Sequence, residues 1–381
     1  MNFDLPEELV VLRDAARAFA DQELAPRAAR HDEAESFVEE QVRMSAEQGY
    51  LGMCVPEAYG GSDLGSLGCS LVLMEINRAC ASTGVTLSVH NSLVCEALVR
   101  YGSEALKKAY LPRLATGELL GAYALSEAGS GSDAGSLTCR ATRDGDGWVL
   151  EGTKLWITHG DQADVMVVFA RTDPQGGTRG ITAFVVETAW AGFSCGKKEK
   201  KMGLRGSPTV EVRLDRVRVP AANVLGEVNR GFPIAMSILD TGRIGIASQA
   251  VGIAQACLDA SIKYAREREQ FGQAIAGFGA IQEKVAEMAT WIEACKLLIY
   301  RAATLKDAGK AHGREASMAK LEASRCANFC AKEAVQVHGG AGYTREFPVE
   351  RYFRDARVTE IYEGTTEIQK LVIARSYLKD A

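Results

Sequence analysis

The sequence contains no CxxC pair, no long block of basic residues, no apolar run long enough to span a membrane and no low-complexity linker. Each absence removes a class of function. A net charge of −5 with both signs largely interspersed leaves no extended Lys/Arg cluster for a phosphate backbone, so nucleic acid is not an expected partner. The ten cysteines are scattered. The closest pair, Cys326 and Cys330, would share a helix face but has no His nearby, a poor basis for a metal site. Reduced, mostly buried thiols are expected, and no metal. The acidic opening MNFDLPEELV is unlike a secretory or transit peptide. With no membrane span expected, the setting should be reducing: the cytoplasm, or the mitochondrial matrix of a eukaryote with the transit peptide absent.

What is present is core-forming material, 47% apolar and 24% charged over 381 residues, enough for two or three domains. Periodicity divides it. Residues 1–118 read as a helical domain: Leu9, Leu12, Ala16 and Phe19 recur at threes and fours and make one buried face. SEALKKAYLPRLATGE gives a short amphipathic helix ending near Gly117. Residues 119–228 change to period two, with Leu137, Cys139 and Ala141 alternating with Thr138, Arg140 and Thr142. DGDG supplies turn chemistry, and DVMVVFART, GITAFVVET and TVEVRLDRVRVP continue the pattern to Pro220. No room remains for crossover helices, so the predicted sheet is mainly antiparallel, a barrel or sandwich. Residues 229–381 return to long helices, with Pro233 in a first turn and a seam of Ile281, Val285, Met288, Ile292, Cys295 and Ile299. A third helix ends at Gly339 and a fourth follows Thr365, completing a four-helix bundle. The class is α+β, mostly α.

Several stretches can carry chemistry, and each has a plainer alternative. In YALSEAGSGSDAGS, Gly129, Gly131 and Ala134 satisfy a dinucleotide fingerprint, but a strand-like run follows where that motif needs a helix. What survives is a loop of small residues able to approach an anionic or planar ligand, or an ordinary surface loop. GTKLWITHG places Trp156 and Thr158 on one strand face, either a core tryptophan or a flat wall with a hydroxyl beside it. YAREREQFG closes a helix with Arg268 and Phe271 at i, i+3, a solvated end or a cation and ring for a phosphate and a heterocycle. In QVHGGAGY, Gly339 and Gly340 follow Gln336 and His338 as a C-cap or as a close backbone approach; His338 reads as structural. The sharpest feature is Glu363 in IYEGTTEIQ, with Thr366 and Gln369 forming a capping box just beyond it. A pre-cap acid favoured by the helix dipole is the plain reading.

Taken together, these stretches resemble the acyl-CoA dehydrogenase family along essentially the whole chain, within its short-chain, butyryl-CoA dehydrogenase-like branch. The carriers are YALSEAGSGSDAG, GTKLWIT, LDTGRIGIASQAVGIAQ, QFGQAIAGFGAIQ, QVHGGAGY and RDARVTEIYEGTTEIQ, in that order. The resemblance implies FAD as cofactor, acyl-CoA as substrate, an electron-transfer flavoprotein as partner and a homotetramer. It makes Glu363 the base that removes a Cα proton. Tyr123, Leu125, Ser126 and Gly131 resemble the segment touching the flavin, with Ser132 also near the substrate, and Trp156 and Thr158 match its cover. Arg268, Gln270, Phe271 and Ile275, with Gln336, Gly339 and Gly340, resemble the contacts offered by a neighbouring subunit. Thr365 and Glu367 resemble further cofactor contacts. Asp240 and Arg243 match the CoA channel, and Tyr362 and Gly364 flank the substrate. Ala128, His159 and Gly279 stand where Pro, Asn and Gln are commoner.

A thioester Cα–H is weakly acidic, so the base needs a dry pocket and donors at the thioester oxygen, among them its own backbone N–H. Gln249 and Thr359 match bulky polar positions that close the acyl pocket in the short-chain branch, so a butyryl-like or small branched chain is expected. The alternatives are an acyl-CoA oxidase of the same fold and a flavin-binding, nucleic-acid-associated relative.

Overall fold

The structure, a computed structural model, describes residues 4–378. Its N-terminal part is helical: α1 (Glu7–Phe19), α2 (Ala25–Ala34), α3 (Glu39–Glu47), α4 (Gly65–Ala79), α5 (Ala81–Ser88), α6 (Glu96–Tyr101) and α7 (Glu104–Ala115). The expected face of α1 turns inward, with Ala16 fully buried and Leu12 and Phe19 packed beside it. α7 begins where the Ser103 hydroxyl accepts a hydrogen bond from Leu106 N–H at 3.3 Å.

The middle part is a sheet of β1 (Gly121–Ala124), β2 (Arg140–Asp144), β3 (Gly147–Thr158), β4 (Val165–Arg171), β5 (Ile181–Glu187), β6 (Phe193–Lys198), β7 (Thr209–Pro220) and β8 (Val224–Leu225). The order is β6-β7-β3-β2-β4-β5-β8, with β1 pairing β4. Pairing is antiparallel except for β1 with β4 and a single β2–β4 bridge, Arg140 to Arg171. Strands from both sides of that bridge share one core. The opposite faces of β1, β4 and β5, carrying Tyr123, Val167, Phe169 and Val185, join the core of the helices instead. With both faces covered, these strands read as apolar runs rather than as an alternation.

The C-terminal part is α8 (Gly231–Glu267), α9 (Gly279–Asp307), α10 (Gly313–His338), α11 (Val349–Ala356) and α12 (Thr366–Leu378). α8 packs on α4, α9 and α10, and α12 lies against α10. The seam residues Met288, Ile292, Cys295 and Ile299 of α9 are buried. The short α11, docked on α10 and α8, has no counterpart in the sequence reading.

One helix end differs from expectation. α8 stops at Glu267, and Arg268 leads into a two-stranded hairpin, β9 (Glu269–Gln270) and β10 (Gln273–Ala274). Phe271 and Gly272 form its tip with φ of 53° and 79°, as tight hairpin turns require. Arg268 and Phe271 therefore do not share a helix face. The apolar spacing continues past the helix end, and the positive-φ turn overrides it.

Candidate active site

The loop from α11 to α12 bends sharply at Glu363 and Gly364, whose φ angles are 49° and 93°. Successive left-handed residues suit glycine and strain glutamate, so the surroundings must hold them. Gln369 donates from Nε2 to the Gly364 carbonyl at 2.8 Å and to the Glu363 carbonyl at 3.3 Å. Lys320 of α10, 1% exposed, donates to the same Gly364 carbonyl at 2.6 Å. A Cβ at Gly364 would press on Gln369 Nε2 at 2.6 Å. Sequence reasoning put the capping box at Thr366 and Gln369. The cap is instead Thr365, whose Oγ1 accepts from Ile368 N–H at 3.4 Å, while Gln369 is spent on the strained carbonyls.

This bend drives the Glu363 side chain against α8. A Cβ at Gly242 would overlap Glu363 Oε2, so the carboxylate lies directly over that glycine's Cα. Both carboxylate oxygens are buried, and neither has a hydrogen-bond partner among the described residues. Burial pushes the acid up to about 7, against the opposing pull of the Lys320 and Arg243 cations. The Tyr123 hydroxyl, also buried and unpartnered among the described residues, feels the Glu363 charge. Orphaned polar atoms in a buried space are expected where a ligand belongs.

Along the same face of α8, Gly245 lies under the Ser88 hydroxyl, and Gln249 follows one turn later. Gln249 is fully buried; it donates to the Ala81 carbonyl at 3.3 Å and accepts from the Tyr362 hydroxyl. Thr359, also fully buried, donates to the Ala356 carbonyl at 2.7 Å. Near the other end of this face, buried Arg243 pairs with Asp240 and reaches Ser317 Oγ at 3.3 Å.

The loop after β1 is fastened from below. Glu127 accepts from Thr138 N–H at 2.6 Å, the Thr138 hydroxyl at 2.7 Å, Cys139 N–H at 3.0 Å and Lys154 Nζ at 2.8 Å. Lys154, fully buried, also donates to the Leu125 carbonyl at 3.0 Å. Leu125 and Tyr123 are thereby fixed on the helical side of the sheet, while Gly131 and Ser132 are exposed and Ser126 half-buried. Trp156 sits at a β3 irregularity, with φ of 63° and 61% exposure. The core-tryptophan alternative is thus overturned, and Thr158 beside it is half-buried.

The remaining candidates gather elsewhere. Arg268, Gln270 and Phe271 are exposed, Phe271 at 96%, and Ile275 packs with Val337 beside exposed Gln336, Gly339 and Gly340. Along α10, Gln336 lies about 24 Å from Lys320 by helical rise. Thr365 is half-buried and Glu367 exposed. His338 is buried and stacked on Tyr264, in keeping with a structural role. Among the described residues no His/Cys/Asp/Glu cluster could hold a metal, and no helix is long and apolar enough to cross a membrane. Lys320, Glu127, Lys154 and Gly242 escaped sequence reasoning. The available signal for the lysines was a charge on an otherwise buried face, such as Lys320 among Ala316, Ala319 and Ala323.

The arrangement suits a planar heterocycle: Trp156 offers an exposed flat face, Tyr123 an orphaned hydroxyl, and Gly129 and Gly131 have open space where a Cβ would stand. Gly339 and Gly340 are equally open at the separate end of α10. Profiles described as acyl-CoA dehydrogenase N-terminal, middle and C-terminal domains match residues 6–118, 122–217 and 229–378. The chain therefore belongs to the acyl-CoA dehydrogenase family of FAD-dependent enzymes. It is 48% identical over 378 residues to the mitochondrial short-chain specific acyl-CoA dehydrogenase of Mus musculus, covering 99% of this chain and 92% of that one. It also superposes on the butyryl-CoA dehydrogenase of Megasphaera elsdenii with a TM-score of 0.97 at 40% identity, covering 99% of this chain and all of that one. A chain from a structural study of the electron transferring flavoprotein of Acidaminococcus fermentans gives 0.98 at 43% identity, covering 99% and 100%.

Proposed function

We propose that the protein oxidises a short-chain acyl-CoA to the trans-2-enoyl-CoA, with Glu363 as the base that removes the Cα proton. The observation carrying this reading is a carboxylate that is buried, unpartnered and raised to about 7. At neutral pH such an acid is divided between its two forms, the condition in which a general base is most effective. When bound, FAD supplies the acceptor for the β-hydrogen as hydride. Tyr123, Leu125, Ser126, Gly131, Ser132, Trp156 and Thr158 would hold it, with Thr365 and Glu367. The exposed Arg268, Gln270, Phe271, Gln336, Gly339 and Gly340, with the buried Ile275 beneath them, would serve the cofactor of a neighbouring subunit in a tetramer. Asp240 and Arg243 would lie along the CoA arm. With the chain parsed at 1–118, 119–228 and 229–381, the site would draw on all three parts, through Leu93, Tyr123 and Gly242.

Buried polar bulk supports the short chain. Tyr362 and Gln249 bond to each other and Thr359 is fully buried, and these side chains would stand where a long acyl tail would run. Electrons would pass on to an electron-transfer flavoprotein. Two measurements test the reading. Glu363→Gln should keep bound yellow flavin and lose activity by about three orders of magnitude or more; near-normal turnover would refute the base. kcat/KM should fall from C4 to C8 to C16 thioesters, and a C16 optimum would refute the pocket.

A further inference from the structure

We propose that Lys320 is a positioning residue for Glu363: from α10 it clamps the Gly364 carbonyl and presents its charge to the carboxylate without bonding it. The inference rests on the reading of Glu363 as the base. Its observations are geometric. Lys320 is 1% exposed on a helix face otherwise built from alanine and serine. Its ammonium donates to the Gly364 carbonyl at 2.6 Å, one residue beyond the base and at the second of two left-handed residues. Among the described residues no ion pair joins Lys320 to Glu363, and both carboxylate oxygens stay free of hydrogen bonds.

That indirect arrangement has a chemical consequence. A direct ion pair would fix the carboxylate and hold it far below the range where it can take a proton. A neutral side chain would leave only the Arg243 cation to oppose burial, and the acid would hold its proton to higher pH. Bonding the carbonyl keeps the cation near enough to favour the anion while leaving both oxygens available to substrate. The other groups facing Glu363 are the Arg243 cation on α8, the Tyr123 hydroxyl on β1 and the neighbouring Tyr362 hydroxyl. Those facing Lys320 are Glu363, Arg243, Glu360 and Glu367. Arg243 is already held by Asp240 and Ser317, and the three acids attract Lys320 rather than compete for its carbonyl. Burial lowers Lys320 itself to about 8 with the Glu363 charge opposing that fall, so near neutral pH it is mostly charged.

The test compares the FAD-loaded wild type with Lys320→Met, Lys320→Gln and Glu363→Gln. In Lys320→Met the acid limb of the kcat/KM profile should move up by about one pH unit, because a favouring cation has gone. kcat near pH 7 should fall about tenfold or more with KM changed less than about threefold, and the deficit should shrink as pH rises. Lys320→Gln, which can still donate to the carbonyl but carries no charge, should show the same limb shift with kcat partly restored. An acid limb unmoved in both variants, while Glu363→Gln is inactive, overturns the role of Lys320 and leaves the base intact. An active Glu363→Gln overturns the base itself. Failure of both lysine variants to give folded yellow protein would assign Lys320 to the fold, and also overturns the proposal.

Discussion

Among the glutamates that lie within reach of lysines, Glu127 and Glu363 are treated in opposite ways. Glu127, under the loop after β1, accepts four hydrogen bonds including one from Lys154. Burial pushes that acid up, but Lys154 and the hydrogen bonds outweigh it and hold the carboxyl below the usual range. Glu363 has both carboxylate oxygens shut off from solvent and a lysine nearby, yet none of those bonds, and is raised to about 7. Burial alone is thus not what separates a fastener from a base. The difference is whether the anion's lone pairs are already spoken for.

The comparison breaks most visibly at Glu363. Glu363→Gln should lower turnover by about three orders of magnitude or more while the protein stays yellow. Lys154→Met attacks the other side. It leaves the Glu127 anion buried without its cation and should cost about 3–5 kcal/mol in denaturant unfolding. Adding Glu127→Gln should recover part of that loss, since the amide is neutral and its oxygen can still accept from Thr138; strict additivity would count against a coupled pair. Gly242→Ala comes next. The new Cβ would overlap the Glu363 carboxylate, so kcat should fall about a hundredfold with modest loss of stability, measured by stopped flow and thermal melting.

The two acids should also have opposite pH signatures. Glu363 has a folded pKa above its ordinary value near 4.5, so the folded state keeps a proton the unfolded chain releases between about 4.5 and 7. Its contribution is fully present below that window and is lost as pH rises through it. Glu363→Gln should therefore melt higher than wild type at pH 8, by at most about 3 kcal/mol, with the advantage vanishing near pH 4. Glu127 has the reverse sign: its contribution is present above the ordinary carboxylate range and fades as pH falls through its depressed value. A wild type and Glu363→Gln that melt alike at every pH would erase the distinction.

Much of this was legible in the sequence, for identifiable reasons. Helix faces such as the α9 seam follow a 3.6-residue period that tertiary packing does not alter, and Glu363 announces itself by lying just before a helix start. What escaped depends on contacts distant in sequence. Lys154 looks like an ordinary strand residue until β3 brings it under Glu127. Trp156 satisfies period two in the sequence, but a register shift between Lys154 and Ile157 turns it out to solvent. Gln369 reads as the partner in a capping box, and only the left-handed bend 363–364 gives it different acceptors. Single charges on buried faces were the one usable clue, and periodicity alone averages them away.

The most direct measurement is the titration of the Glu363 carboxyl itself, by infrared difference spectra of wild type against Glu363→Gln across pH. A protonated-carboxyl band titrating with a midpoint near 7 is the expected result. A midpoint near 4, where an ordinary solvated or hydrogen-bonded glutamate would titrate, would contradict the claim that an unpartnered buried acid is the centre of this site.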